Sequence, residues 1–215
     1  MSNLTARPTL RYYADRLRTT LAEPELVGES DLLTFLSDGY KRLCERSGCL
    51  LGTTTITLTS GVAEADLPED HYRTRLVALG GVRLDELSLR NSLASYGAGV
   101  PLAYYQYAGK IGFAPTPNTS TNHVTLLYSA SPPPVQGYDD DLDPRLPPEY
   151  RYGIVHWVRW RITQIDGGAQ GISRANYERA LFEDCVGKIR RQLGTVASVT
   201  PGRMRSVVEA GRALR

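Results

Sequence analysis

ADLPEDHYRTRLVALGGVRLDE (65–86), GVPLAYYQYAGKIGFAPTPN (99–118) and HVTLLYSASPPP (123–134) are the segments that decide the fold of this chain. Each contains short runs of β-branched and aromatic residues, and proline and glycine interrupt those runs. Short strand-like runs bounded by turn residues are typical of β structure with tight connections. We therefore predict that residues 51–135 form a β domain.

Two hairpins are predicted inside this region. In residues 53–67, threonine and apolar residues alternate up to Ser60 and Gly61, which supply a turn. A second pair of strands lies in residues 102–113, around the turn 108–110. Period-two alternation on both sides of a glycine-containing turn indicates antiparallel pairing of the two neighbouring strands.

Amphipathic segments flank the β region on both sides. Apolar residues at steps of three and four predict helices over 9–21 and 30–47, and Gly48 stops the second one. Two prolines open a third helix at 147, and Ser173 caps a fourth that reaches residue 193. Helices joined by short connections pack antiparallel, so the N- and C-terminal helices are predicted to form an antiparallel helical bundle. The predicted fold class is α+β, with an antiparallel β domain inserted between the two helical pairs.

The chain thus divides into four predicted parts. These are an N-terminal helical pair (1–50), the inserted β domain (51–135), a Pro/Asp-rich return with the C-terminal helical pair (136–193), and an extended tail (194–215). The tail contains four arginines, one acid and few apolar residues. Such a segment is disordered alone and orders against a partner.

Composition is that of an ordinary globular protein: 215 residues with a formal net charge of +2. The first residues show no signal-peptide pattern, and no apolar run reaches the roughly 18 residues of a membrane span. We expect a protein made in the cytoplasm, without a membrane partner. The cysteines form no CxxC pair and are expected to be small buried hydrophobes: Cys44, Cys49 and Cys185.

No pattern of catalytic residues is present. The chain lacks the HExxH, GxSxG, GxxxxGK[ST] and GxGxxG motifs. Asp139, Asp141 and Asp143 have the spacing that opens an EF-hand loop, but Pro144 replaces the required glycine and Tyr150 the bidentate glutamate. We predict no enzyme activity, no metal and no cofactor.

Three tyrosines are clustered on the second hairpin: Tyr104, Tyr105 and Tyr107. Strand geometry places Tyr105 and Tyr107 on one face and Tyr104 on the other, so one set fills the core while the other meets a neighbour. A carbohydrate-binding module is an alternative. It predicts a saturable shift with glycan.

Basic residues are concentrated after residue 187, among them Lys188, Arg190 and Arg191. They fit either an acidic protein surface or DNA phosphates. The main alternative function is therefore a DNA-binding or regulatory module that uses this basic stretch. It predicts tight binding to duplex DNA with a steep dependence on salt.

The order of features resembles the head-to-tail adaptor (connector) proteins of tailed bacteriophages. LPEDHYR leads into a predicted strand, and PLAYYQY is followed by its predicted partner strand in KIGFAPTP. A strand with a tyrosine near its end precedes the prolines, and helices lie on both sides of the region. The likeness spans roughly residues 9–193. It implies a non-enzymatic virion protein of the neck, assembled in the host cytoplasm as a ring of 12 copies beneath the portal.

The resemblance also implies partners and contact residues. The partners are other copies, the portal, tail or neck proteins, and double-stranded DNA that passes without sequence-specific contact. Lys188, Arg190 and Arg191 are predicted to face the DNA channel, and Tyr104, Tyr105 and Tyr107 to meet a subunit or the tail. The residues predicted to dock on the portal are Pro201, Arg203, Met204, Arg205, Val207, Val208, Arg212, Leu214 and Arg215.

Overall fold

A computed structural model describes residues 9–20, 27–88, 97–120, 122–165 and 169–197. In this part of the chain the fold is mixed α+β, as predicted, with four α-helices and several small sheets. Residues 201–215, which contain all the predicted portal-docking residues, lie outside the described part.

The helices are α1 (Leu10–Thr20), α2 (Glu29–Ser47), α3 (Gly153–Ile165) and α4 (Ala169–Ala197). Gly48 ends α2 as predicted, because its left-handed φ of 67° lets its N–H donate to the Cys44 carbonyl. The predicted cap at Ser173 is wrong, since α4 already begins at Ala169. Alanine is a good helix former, so it favours a start before the serine.

The start of the third helix also differs from the prediction. The two prolines open only a short 3-10 helix, Pro148–Tyr150, and α3 begins at Gly153. A proline suits the first position of either helix type because that N–H has no partner within the helix. The proline signal therefore marks the entry to the helical segment but not the type of its first turn.

Close contacts join the four helices. A Cβ at Gly39 would lie 2.9 Å from Cδ1 of Trp157, so only a glycine lets α2 approach α3 this closely. The Trp157 and Phe182 rings, with centroids 5.1 Å apart, connect α3 to α4. α1 meets α3 through Arg159, whose Nη2 donates to Thr20 Oγ1 at 2.7 Å.

Ten short strands lie in the described part of the chain: β1 (Leu51–Thr57), β2 (Glu64–Asp66), β3 (His71–Leu79), β4 (Val82–Arg83), β5 (Asp85–Glu86), β6 (Ala98–Gly99), β7 (Ala103–Tyr107), β8 (Lys110–Ala114), β9 (Thr116–Pro117) and β10 (His123–Ala130). One sheet has the order β1-β10-β3-β4 and a second has the order β2-β8-β7-β5, while β6 pairs with β9. All the strands lie between residues 51 and 130.

The second predicted hairpin is confirmed and the first is wrong. β7 and β8 pair antiparallel around Ala108 and Gly109, both with positive φ, which is the two-residue turn that suits a twisted hairpin. β1 instead pairs with β10, and β2 pairs with β8 in the other sheet. Alternation of residues in the sequence identifies a strand but not its partner. Here the longer β10 pairs with β1 along its whole length, so β2 is not its neighbour.

The prediction of a purely antiparallel β region also needs correction. The major pairings are antiparallel, but β5 pairs parallel with β7 and β6 pairs parallel with β9. Both parallel pairs are only two residues long. They place β5 beside β7 and β6 beside β9, and pairs this short leave no pattern in the sequence that would show their direction.

One apolar core runs through helices and sheets. Alternate residues of β10, Val124 and Leu126, are fully buried and belong to the same cluster as Leu36 and Ile154 of the helices. Buried alternation on one face of a strand is what packs a sheet onto a second layer. Cys44 and Cys49 are buried in this core as predicted, while Cys185 is half-buried.

Candidate interaction surfaces

The tyrosine hairpin has two distinct faces. Tyr104 is buried in the core, Tyr105 is half-buried and Tyr107 is exposed. The rings of Tyr105 and Tyr107 stack with centroids 6.2 Å apart and planes 15° apart. The predicted alternation is therefore confirmed, with Tyr104 on the core face and the other two on the opposite face.

Neighbouring residues fix the stacked pair. The Tyr105 ring lies over Gly112, where a side chain would collide with it, and Tyr107 donates its hydroxyl to Glu64 Oε1 at 2.6 Å. Burial raises the pKa of Tyr105, and the hydrogen bond to Glu64 raises the pKa of Tyr107. Both phenols stay neutral at physiological pH, so they form a flat apolar patch with polar tips, as at many protein interfaces.

The three basic residues predicted to face DNA have different environments on α4. Lys188 is paired with Asp184 on its own helix, with Nζ and Oδ2 2.6 Å apart, and this pairing raises the pKa of Lys188. Arg190 is turned to the end of α2, where its Nε and Nη2 donate to the Arg46 carbonyl at 2.8 and 2.5 Å. Arg191 is exposed.

An arginine cluster that the sequence did not reveal lies where helices and sheet meet. Arg73 and Arg75 of β3 line a cleft of about 830 Å³ together with Arg190 of α4. Arg75 is held by Ser129 of β10, since its Nε donates to Oγ at 2.7 Å. The spacing of Arg73 and Arg75 predicts a shared strand face, but no local pattern brings α4 to that face.

Two of the three aspartates that have EF-hand spacing, Asp139 and Asp143, form ion pairs. Asp139 binds Arg11, with Oδ1 and Nε 2.5 Å apart, and Asp143 binds Arg145, with Oδ2 and Nη2 2.8 Å apart. These hydrogen bonds lower the pKa of both carboxyls. Within the described residues, no group of three or more His, Cys, Asp or Glu side chains is arranged to hold a metal ion.

No helix in the described part of the chain is long and apolar enough to cross a bilayer.

The described surfaces carry stacked aromatics, ion pairs and arginines on a mixed α+β scaffold, and aromatic residues and arginine are enriched in protein interfaces. The chain belongs to the SU10 adaptor protein family, whose family model matches residues 9–205. It is thus a phage structural adaptor, as the sequence resemblance implied. The comparison with curated proteins found no match.

Proposed function

We propose that this chain is a head-to-tail adaptor that forms a ring under the portal, joins the capsid to the tail and surrounds part of the DNA channel in the virion neck. The observation that carries the proposal is the family match over residues 9–205. That match includes every described helix and strand, and it continues into the tail that follows α4.

The parts of the chain receive different roles in this proposal. Residues 1–50 and 136–193 form an antiparallel bundle that makes side-by-side contacts between subunits, and the inserted β domain, 51–135, faces the tail or a neighbour. Large apolar side chains that are exposed in the single chain support such contacts. They lie on the helices at Ile165, Ile172 and Tyr177, and in the β region at Val82, Val100 and Leu102.

A ring requires that each subunit present two different, complementary surfaces to its neighbours. The number of 12 copies comes from the family resemblance. The stacked Tyr105 and Tyr107 are proposed as one contact with a subunit or the tail. Lys188 and Arg191 are proposed to face the passing DNA, because they are exposed and lie three residues apart on one side of α4.

Portal docking is assigned to the tail, from Pro201 to Arg215. The experiment compares the full-length chain with a chain in which residues 201–215 are replaced by a Gly/Ser linker of equal length. Each is mixed with the portal protein encoded in the same genome, and complex formation is followed by size-exclusion chromatography with light scattering. We expect the full-length chain to bind and the linker variant not to bind.

Three results would contradict the proposal. Unchanged portal binding by the linker variant would show that docking resides elsewhere. Tight binding of the isolated protein to duplex DNA, with a steep loss of affinity as salt is raised, would favour the DNA-binding alternative. Absence of any portal complex with the full-length chain, even at micromolar concentrations, would contradict its placement under the portal.

A further inference from the structure

The arginine cleft lies at the junction of the helical and β parts of the chain. Its walls come from the C-terminal end of α2, from β3 and β10, and from the last turns of α4. Arg73, Arg75 and Arg190 reach it from elements that are far apart in sequence. Its volume of about 830 Å³ is in the range of pockets that accept a ligand or a short peptide segment.

The positive charge of the cleft is not balanced within the described part of the chain. No carboxylate in that part lies within the 4.0 Å limit of an ion pair to Arg73, Arg75 or Arg190. The acids nearby already have partners. Glu183 pairs with Arg46. Glu45 itself lines the cleft, but its carboxylate accepts from Ser131 and lies 3.9 Å from Lys41.

Backbone dipoles compensate only part of this charge. Arg190 donates to a carbonyl at the end of α2, and Gly48, which follows α2, leaves the space that the Arg75 guanidinium occupies. A helix C-terminus provides roughly half a negative charge, against three guanidinium groups. The pKa of Arg75 is lowered by its burial and then by the charges of Arg73 and Arg190, so the three groups repel one another in the free protein.

Arg75 and Arg190 are held in place by hydrogen bonds that leave some of their N–H donors unused. A guanidinium has five N–H donors. The hydrogen bonds of Arg75 and Arg190 to protein acceptors use one and two of them, respectively. A carboxylate that entered the cleft would therefore meet pre-positioned donors, which favours strong bidentate hydrogen bonds.

Apolar side chains share the walls with the arginines. Leu51 and Tyr72 are 43% and 46% exposed, and Leu127 and Leu193 complete the apolar part of the lining. Duplex DNA presents phosphates and sugars from an extended, strongly hydrated surface, and its main apolar groups, the thymine methyls, lie inside the major groove and not beside the phosphates. A peptide with acidic and apolar residues side by side matches both features.

We propose that this cleft binds an acidic segment of a partner protein, with its carboxylates on Arg73, Arg75 and Arg190 and an adjacent apolar side chain against Leu51 and Tyr72. The basic tail of this chain is excluded as the occupant by its charge. This inference goes beyond the proposed docking of the tail on the portal. It assigns Arg190 to a protein partner, where the sequence predicted DNA.

The test uses the full-length protein and fluorescence anisotropy. The probe is a fluorescein-labelled peptide, GLDELDELG, and its twin GLNQLNQLG keeps the size and apolar residues but has an amide in place of every side-chain carboxylate. A short labelled DNA duplex is the third probe. The variant combines Arg73→Gln with Arg75→Gln. The matched control combines Arg42→Gln with Arg83→Gln, which removes the same charge at exposed positions outside the cleft.

We expect the acidic peptide to bind at least about tenfold more tightly than its twin, a preference that the cleft variant loses and the control keeps. The cleft variant should also melt close to the wild type, because it removes repulsion between the arginines together with the Arg75–Ser129 hydrogen bond, and no ion pair. Equal binding of the two peptides to the wild type would overturn the proposal. Binding of the duplex that is tighter than that of the acidic peptide and depends on Arg73 and Arg75 would also overturn it, and would identify DNA as the occupant. Self-association that depends on these two arginines would overturn it in favour of a second copy of the chain.

Discussion

His156 of α3 and Glu178 of α4 form a buried pair, with Nδ1 and Oε2 2.6 Å apart. Glu178 also faces Arg159, whose Nη1 lies 3.7 Å from Oε1, and the Glu178 side chain is only 7% exposed. One carboxylate thus connects two basic residues of the neighbouring helix. Removing this carboxylate is strongly destabilising because it leaves the His156 ring nitrogen and the Arg159 guanidinium without their partner in a largely buried site.

Replacing this carboxylate should therefore lower stability substantially. We expect Glu178→Ala to reduce the free energy of unfolding by about 3 kcal/mol, measured by urea denaturation at neutral pH. Glu183→Ala on the same helix is the control, because its pair with Arg46 is partly exposed and should contribute less than about 1 kcal/mol. Equal losses in the two variants would show that burial of the Glu178 pair has no special role.

The packing of Tyr105 on Gly112 gives a second prediction. A Cβ at position 112 would overlap the Tyr105 ring, so Gly112→Ala should displace the ring and cost about 2 kcal/mol. In the background of Tyr105→Ala the same change should cost much less, which a double-mutant cycle measures. Gly137→Ala is the control, since that position has open space. Additive effects of the two substitutions would contradict the packing.

Gly48 should be less tolerant of a side chain than a glycine in a turn. Gly48 and Gly61 both have positive φ, 67° and 76°, but only Gly48 has a neighbour, the Arg75 guanidinium, where a Cβ would lie. We expect Gly61→Ala to cost about 1 kcal/mol from backbone strain alone. Gly48→Ala should cost clearly more, because it also displaces Arg75. Equal changes in melting temperature would mean that Arg75 moves aside without cost.

The Asp143–Arg145 pair predicts a pH dependence. Hydrogen bonds from Arg145 hold the pKa of Asp143 below its ordinary value of 3.8. The pair therefore stabilises the fold above that pH, and the contribution is lost as pH falls through the lower folded-state pKa. We expect Asp143→Asn to cost about 1 kcal/mol at pH 7, with the difference from wild type shrinking below about pH 3.8.

A second variant checks the cause of this pH dependence. Arg145→Gln removes the donors and should reproduce the same pattern in urea denaturation at several pH values. A loss for Asp143→Asn that is as large in strong acid as at pH 7 would contradict the ionic origin of the stabilisation.

Features set by neighbours in sequence were predictable. The hairpin of β7 and β8 has its turn between adjacent strands, and the end of α2 depends on one glycine, so local conformational preferences decide both. The pairing of β1 with β10 was not predictable, because some 65 residues separate them and threonine alternation fits many partners equally well.

The candidate surfaces divide in the same way. The split of the tyrosines between two faces follows from the period of a strand and agrees with the structure. The different surroundings of Lys188 and Arg190 do not follow from their spacing, since they depend on Asp184 in one case and on the end of α2 in the other.

By itself, the sequence determined the α+β class, the positions of most helices and the resemblance to phage adaptors, because these depend on periodicity, turn residues and order along the chain. Only the tertiary structure decided which strands pair and that Arg73, Arg75 and Arg190 meet in one cleft. Charges on separate elements come together only when a common apolar core fixes those elements against one another. A local sequence pattern contains no information on the distance between such elements.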